Sequence, residues 1–142
     1  MSMVNCLIVI HHPHKARITM IVFVTKDLFF IPLLKSAAEK QSCSMITVPN
    51  ANSVRLDELT AEEVTACVID LTSVSLSEIA TAAEALQKRF APVQLIAFGP
   101  HVNEQHLTAA HSAGFDSVLT RGQLNANIDR HMQHWALQKP QS

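Results

Sequence analysis

The sequence predicts an α/β domain in which five parallel strands form one sheet covered by helices on both faces. Two observations indicate this fold class. From Ile18 onward, short β-rich runs alternate with longer helical stretches, which is typical of successive βα units. The first run, residues 18–25, is almost continuously apolar, as expected of a central strand buried on both faces. The length of 142 residues suits a single domain.

Five runs have the composition of strands, since they are rich in β-branched and apolar side chains. They cover residues 18–25, 44–48, 65–71, 93–98 and 116–120. Helical patterns follow four of them. We expect these helices from Asp27 to about Gln41, from Ser75 or Ser77 to Phe90, from Asn103 to Ala113, and over residues 125–138. Gly114 is a suitable left-handed residue at a helix end. The segment around Leu56 and Leu59 has no distinct pattern, and its helicity is left open.

Composition excludes several classes of partner. Lys and Arg number 11 against 12 Asp and Glu, for a net charge of -1, so no positive field attracts nucleic acid or an anionic membrane surface. No apolar run approaches the roughly 20 residues of a membrane span. The three cysteines, Cys6, Cys43 and Cys67, are widely spaced and form no CxxC pair. This pattern favours a reducing compartment and a cytoplasmic location.

Residues 1–17 form an N-terminal extension before the domain, which we assign to residues 18–142. Within the extension, residues 4–10 (VNCLIVI) are apolar but lack a preceding basic stretch and a following cleavage site, so they do not resemble a signal peptide. An apolar β-branched run predicts an added edge strand or an arm exchanged between two copies.

Ligands of a doubly wound sheet bind at the carboxyl ends of the strands. The residues predicted there are Thr25, Lys26, Asp27, Asp70, Gly99, Pro100, His101 and Arg121. With five βα units, an aspartate after the third strand and a basic residue after the fifth, the chain resembles the response-regulator receiver family, which has a flavodoxin-like fold. The resemblance covers about residues 18–138.

The resemblance implies that Asp70 stands at the phosphate-accepting position. Gly99 lies where the family has a hydroxyl residue, and Arg121 lies where the family has a lysine followed by proline. Receivers end the first strand with adjacent acids that hold magnesium, whereas this chain has Thr25-Lys26-Asp27. The resemblance is therefore to a degenerate member, a pseudo-receiver.

Phosphoryl transfer to a carboxylate requires neutralisation of the negative charge on the oxygens of the transferred group. In receivers, a dication and a lysine supply the positive charge that does this. Lys26 instead adds positive charge where a metal would bind, so we expect no metal or other cofactor. If a metal binds, Asp27 and Asp70 are its candidate ligands. A pseudo-receiver predicts Lys26 or Arg121 near Asp70, and a lysine there would form an ion pair with it. A purely structural Asp70, capping the turn at residues 73–77, is the plainer interpretation.

These observations favour a non-enzymatic signalling or protein-interaction module. We expect it to present its fourth and fifth units to a protein partner, with a homodimer as the first expectation. The alternative is a phosphate-accepting receiver that uses Asp70 with Mg²⁺. A third alternative is a small-molecule-binding domain of flavodoxin-like fold, which predicts a deep pocket.

Overall fold

The computed structural model describes residues 19–137, which contain one five-stranded parallel sheet. Its strands are β1 (Met20–Val24), β2 (Ser44–Val48), β3 (Val64–Asp70), β4 (Gln94–Gly99) and β5 (Ser117–Thr120). Their order across the sheet is β2-β1-β3-β4-β5, and all four pairings are parallel. The predicted fold class is confirmed.

Five α-helices connect or follow the strands in the described residues. They are α1 (Ile31–Lys40), α2 (Ile79–Phe90), α3 (Glu104–Ser112), α4 (Arg121–Ala126) and α5 (Ile128–Trp135). The segment whose helicity the sequence left open forms a short 3-10 helix, Val54–Glu58. None of the helices in residues 19–137 combines the length and the apolar character needed to cross a bilayer.

Short 3-10 turns precede two of the predicted helices. Asp27 does act as an N-cap, but of the 3-10 helix Leu28–Phe30, and α1 then begins at Ile31. Pro32 lies in the first turn of α1, where its missing N–H costs nothing. Before α2, Ser75 and Glu78 form a capping box around the 3-10 helix Leu76–Glu78. Gly114 has the predicted left-handed backbone, with φ of 90°.

The prediction of one final helix beginning near residue 125 was wrong. Helical structure begins directly after β5, and two helices, α4 and α5, meet at Asn127. The early start has a local cause, because Thr120 accepts a hydrogen bond from the N–H of Gln123 while the Gln123 side chain accepts one from the N–H of Thr120. This capping box satisfies two N–H groups at the helix start. Arg121 therefore lies at the first position of a helix.

The sheet separates two apolar cores. On one face, side chains of β1, β3 and β4 pack against α2, α3 and Leu56. On the other face, they pack against α1, α4 and α5, with Phe23, Phe98 and Trp135 among the buried residues. All seven residues of β3 are buried, as its central place in the sheet requires. The predicted strand or arm at residues 1–17 and the predicted helix end at Gln138 lie outside the described residues.

Candidate functional site

Asp70 is the last residue of β3 and lies at the carboxyl edge of the sheet, beside the end of β1. Its side chain is fully buried. The chain turns sharply after it into the 3-10 helix Leu71–Ser73, of which Asp70 is the N-cap. A buried carboxylate requires hydrogen-bond donors to replace water, so its partners decide what this site can do.

Two threonines supply those donors. Thr25 Oγ1 donates to Asp70 Oδ2 at 2.8 Å. Thr72 donates to Asp70 Oδ1 twice, from its backbone N–H at 3.0 Å and from its hydroxyl at 2.7 Å. Both carboxylate oxygens are therefore engaged within the protein, by short bonds of the charge-assisted kind. Asp70 caps the turn Leu71–Ser73 through Thr72, and this turn begins two residues before the one at residues 73–77 that the sequence indicated.

The end of β1 presents a hydroxyl to Asp70. Thr25 is itself buried and also accepts a hydrogen bond from the N–H of Asp27 at 3.0 Å. Because a threonine hydroxyl carries one hydrogen, its short bond to the Asp70 carboxylate fixes the direction of the chain of hydrogen bonds: Asp27 N–H to Thr25, then Thr25 to Asp70. The residue that follows β1 and faces Asp70 is thus Thr25.

The side chains of Lys26 and Asp27 are oriented differently from that of Thr25. The Asp27 carboxylate accepts a hydrogen bond from the N–H of Phe29 at 2.9 Å, which caps the turn before α1. Lys26 is exposed, and its backbone N–H donates to Ser73 Oγ at 2.8 Å. Among the described residues, no salt bridge joins Lys26 to Asp70. The ion pair considered from the sequence is therefore absent from this structure, and two neutral hydroxyls take its place.

Arg121 approaches Asp70 only through Thr72. Its Nη2 donates a long hydrogen bond of 3.5 Å to Thr72 Oγ1, and its guanidinium carbon lies 5.3 Å from the centre of the Phe30 ring. A planar guanidinium stacks well on an aromatic face. The predicted proximity of Arg121 to the Asp70 site is thus observed, with one hydroxyl between the two charges.

Gly99 ends β4 and is buried. A Cβ at this position would lie 3.4 Å from Leu71 Cβ, so there is space for a small side chain. The residue itself carries no hydroxyl. At Gly99, β4 lies close to the turn after Asp70. The residue provides no hydrogen-bonding side chain.

A polar depression of about 430 Å³ borders the Asp70 site through Thr72, the hydrogen-bond partner of Asp70. Its lining residues are Lys26, Asp27, Thr72, Ser73, Val74, Ser75 and Glu78. Hydrogen bonds from the Ser75 side chain and backbone, with the Lys26 charge as a smaller contribution, lower the pKa of Glu78, which therefore stays ionised at neutral pH. Within residues 19–137, no three His, Cys, Asp or Glu side chains are grouped closely enough to hold a metal ion.

The sequence pointed to Asp70 and Arg121 but gave Thr25 no role and missed Thr72. Thr72 could have been found from its place two residues after an aspartate, since Asp side chains at turns bond to the backbone N–H two residues on. The contact between Thr25 and Asp70 joins residues 45 apart in the chain. Only the pairing of β1 with β3 brings these two strand ends together.

The fold is similar to several solved receiver structures. A response regulator from Thermotoga maritima has a TM-score of 0.66 at 11% sequence identity, over 84% of this chain and 98% of that one. A CheY-like protein from Pseudomonas aeruginosa has a TM-score of 0.64 at 16% identity, over 82% of this chain and 98% of that one. These likenesses establish a flavodoxin-like receiver fold, and at such identities they extend no further than the fold.

A third similar structure is a putative pilus assembly-related protein from Burkholderia pseudomallei. Its TM-score is 0.64 at 20% identity, and the match covers 89% of this chain and 95% of that one. No protein-family model matches the sequence, and no curated protein matches it. The solved structures therefore show the fold and assign neither a site nor a partner.

Proposed function

We propose that this domain is a non-enzymatic signalling and protein-interaction module, a pseudo-receiver that acts without a phosphoryl group on Asp70. The observation that carries this proposal is the enclosure of the Asp70 carboxylate by Thr25 and Thr72. An attacking carboxylate oxygen must be free to meet a phosphorus atom, and the charge that develops must be neutralised by nearby cations. Here both oxygens already accept hydrogen bonds, and the Arg121 guanidinium bonds to Thr72 instead of Asp70.

The alternative, a phosphate-accepting receiver that uses Mg²⁺, is supported by the location of Asp70 at the carboxyl end of β3 and by Asp27, which lines the polar depression together with Thr72. The residues present fit Mg²⁺ poorly. This ion requires an octahedron of oxygen ligands, usually with one or two free carboxylates. Both Asp70 oxygens already accept hydrogen bonds, Asp27 caps a turn, and Lys26 lines the depression. We therefore favour the phosphate-independent module.

Incubation with Mg²⁺ and acetyl phosphate is expected to leave the mass of the intact protein unchanged. The reason is that Asp70 is buried, that both of its oxygens already accept hydrogen bonds from Thr25 and Thr72, and that the neighbouring residues fit Mg²⁺ poorly. Intact-mass spectrometry checks this result, with a phosphorylatable receiver treated in parallel to show that the donor is active. A gain of one phosphoryl group that is lost in Asp70→Asn would overturn the proposal and establish the alternative.

Self-association is the proposed mode of action, through the surface formed by β5, α3 and the loop before α3. Two features support it. Within the described residues β5 pairs only with β4, so the outer edge of this strand offers unpaired backbone groups. Val102, in the loop before α3, is 75% exposed although it is apolar. An edge strand and an exposed apolar side chain in the same two βα units are each typical of an association surface.

We expect the protein to form a dimer and Val102→Asp to weaken it by about tenfold or more, because a charge then enters an apolar contact. Sedimentation velocity over a concentration series measures the change. Val54→Asp is the matched control, since Val54 is equally apolar and 77% exposed but lies in the connection between β2 and β3. A strict monomer at high concentration, or equal effects of the two variants, would contradict this surface.

The cytoplasm is the proposed location, because the thiol of Cys43 is free and buried. Burial raises the pKa of Cys43, and a side-chain hydrogen bond with Thr19 opposes this only in part. A thiol with a raised pKa yields little thiolate at neutral pH. This side chain therefore behaves as a small core residue.

A further inference from the structure

A second concave surface lies away from the polar depression, between the start of α1 and the start of α4. This α1–α4 groove has a volume of about 660 Å³, within the range of roughly 300–1,000 Å³ found for ligand pockets. Its lining residues are Phe29, Phe30, Pro32, Leu33, Arg121, Gly122 and Asn125. Its wall from α1 is apolar, and its wall from α4 carries a guanidinium and a carboxamide.

The apolar wall continues onto the surface. Phe29 is 76% exposed and the preceding Leu28 is 78% exposed. Two large apolar side chains in succession, next to a groove, form a patch that water solvates poorly. Phe29 also contacts Phe30 edge to face, with ring centres 5.1 Å apart, so the exposed ring is held in a defined position beside the groove.

The polar wall has unused hydrogen-bonding capacity. The guanidinium of Arg121 carries five N–H donors, yet among the described residues it makes one long hydrogen bond, and its Nε has no acceptor. The exposed Asn125 side chain adds an amide that both donates and accepts. An apolar wall facing such donors suits a peptide segment, whose side chains are apolar and whose backbone carbonyls accept hydrogen bonds.

We infer that the occupant of the α1–α4 groove is the apolar segment at residues 4–10 of the same chain. This segment, VNCLIVI, has no charged side chain, so nothing in it opposes the Arg121 guanidinium or the aromatic wall. The intervening residues 11–18 span up to about 26 Å when extended. The groove lies at the opposite end of β1 from Met20, and a five-residue strand is about 17 Å long. The segment therefore reaches the groove without leaving its own domain.

The occupancy of the α1–α4 groove does not depend on whether Asp70 is phosphorylated. A failure of the proposed function would therefore leave this inference unaffected, and the reverse also holds.

The segment contains a natural probe, Cys6. We place a second thiol on the groove wall with Asn125→Cys and treat the full-length protein with a short bismaleimide. The matched control is Asn52→Cys, which is equally exposed but lies in the turn after β2. The buried Cys43 and Cys67 are present in both proteins.

A cross-link between Cys6 and position 125 within one chain is expected to form about tenfold faster than one to position 52, because docking raises the local concentration of the segment at the groove. Peptide mapping locates the link, and intact mass separates links within a chain from links between chains. Adding Phe29→Asp to the Asn125→Cys protein is expected to remove this advantage. Equal rates at positions 125 and 52, or a link that joins two chains, would overturn the inference.

Discussion

Thr25→Asp is expected to lower the free energy of unfolding by about 3–5 kcal/mol in the absence of divalent cations. Thr25 and Asp70 are both buried, and Thr25 Oγ1 lies 2.8 Å from the Asp70 carboxylate. A second carboxylate in this position replaces a donor by a like charge, and two such charges in contact cannot both remain ionised without a cation. Urea denaturation at neutral pH measures the loss.

The same substitution is expected to make stability depend on Mg²⁺. Two adjacent carboxylates, one after β1 and one at the end of β3, create a ligand set that the natural chain lacks. An ion that binds only the folded state stabilises that state by mass action. The gain is about 1.4 kcal/mol for each tenfold excess of the ion over its dissociation constant. Unfolding is therefore measured with Mg²⁺ and with a chelator.

Thr25→Asn provides the matched control for the effect of charge. Asparagine has the shape of aspartate, and its amide is able to donate to Asp70, so we expect a loss of at most about 1–2 kcal/mol and no response to Mg²⁺. Equal losses in the two variants would show that shape and not charge matters at this position. A Mg²⁺ response in the unmodified protein would count against the proposal that Asp70 acts without a metal.

Phe98→Ala is expected to cost about 3–5 kcal/mol in unfolding free energy. Phe98 is fully buried in β4 and lies between two other rings, with centre distances of 5.3 Å to Phe30 and 6.0 Å to Phe23. Removing it leaves a cavity and ends two aromatic contacts. The Arg121 guanidinium also lies over the Phe30 ring. Since Phe98 packs against Phe30, its removal is expected to weaken the packing beneath the α1–α4 groove. Denaturant unfolding measures the cost.

Phe29→Ala is the comparison for this prediction. Phe29 contacts the same Phe30 ring, but 76% of its surface is exposed. Because burial and not ring contact supplies most of the free energy, we expect its loss to stay within about 1 kcal/mol. Similar costs for the two substitutions would contradict the view that the buried Phe23-Phe30-Phe98 cluster fixes the start of α1.

Much of the fold could be predicted from local pattern. The apolar runs of β1 and β3 marked central strands, and Asp70 was placed at the carboxyl edge because a lone acid ended such a run. The beginning of α4 was missed, since the helical character of residues 121–126 depends on the Thr120 and Gln123 capping box and contains few apolar positions. Local capping outweighed the absence of a hydrophobic pattern there.

The candidate site was harder to predict than the fold. Charge suggested a partner for Asp70 among Lys26 and Arg121, whereas the structure uses hydroxyl groups of Thr25 and Thr72. Threonine is frequent in strands for reasons of shape, so its presence at the end of β1 carries no sign of a polar role. The direction in which a side chain points at the end of a strand depends on how the strands pair. A single sequence indicates that pairing only through the alternation of apolar and polar residues between the two faces of a strand.

The central position of β3 has a consequence for motion. Buried along its whole length and paired with β1 and β4, it belongs to the part of the domain where amide hydrogens exchange only when the entire molecule unfolds. Asp70 is attached to the end of this most persistent strand, and its threonine partners hold the neighbouring turns to it. The interior arrangement around Asp70 is thus expected to last as long as the folded state itself, while partners exchange at the surface around it.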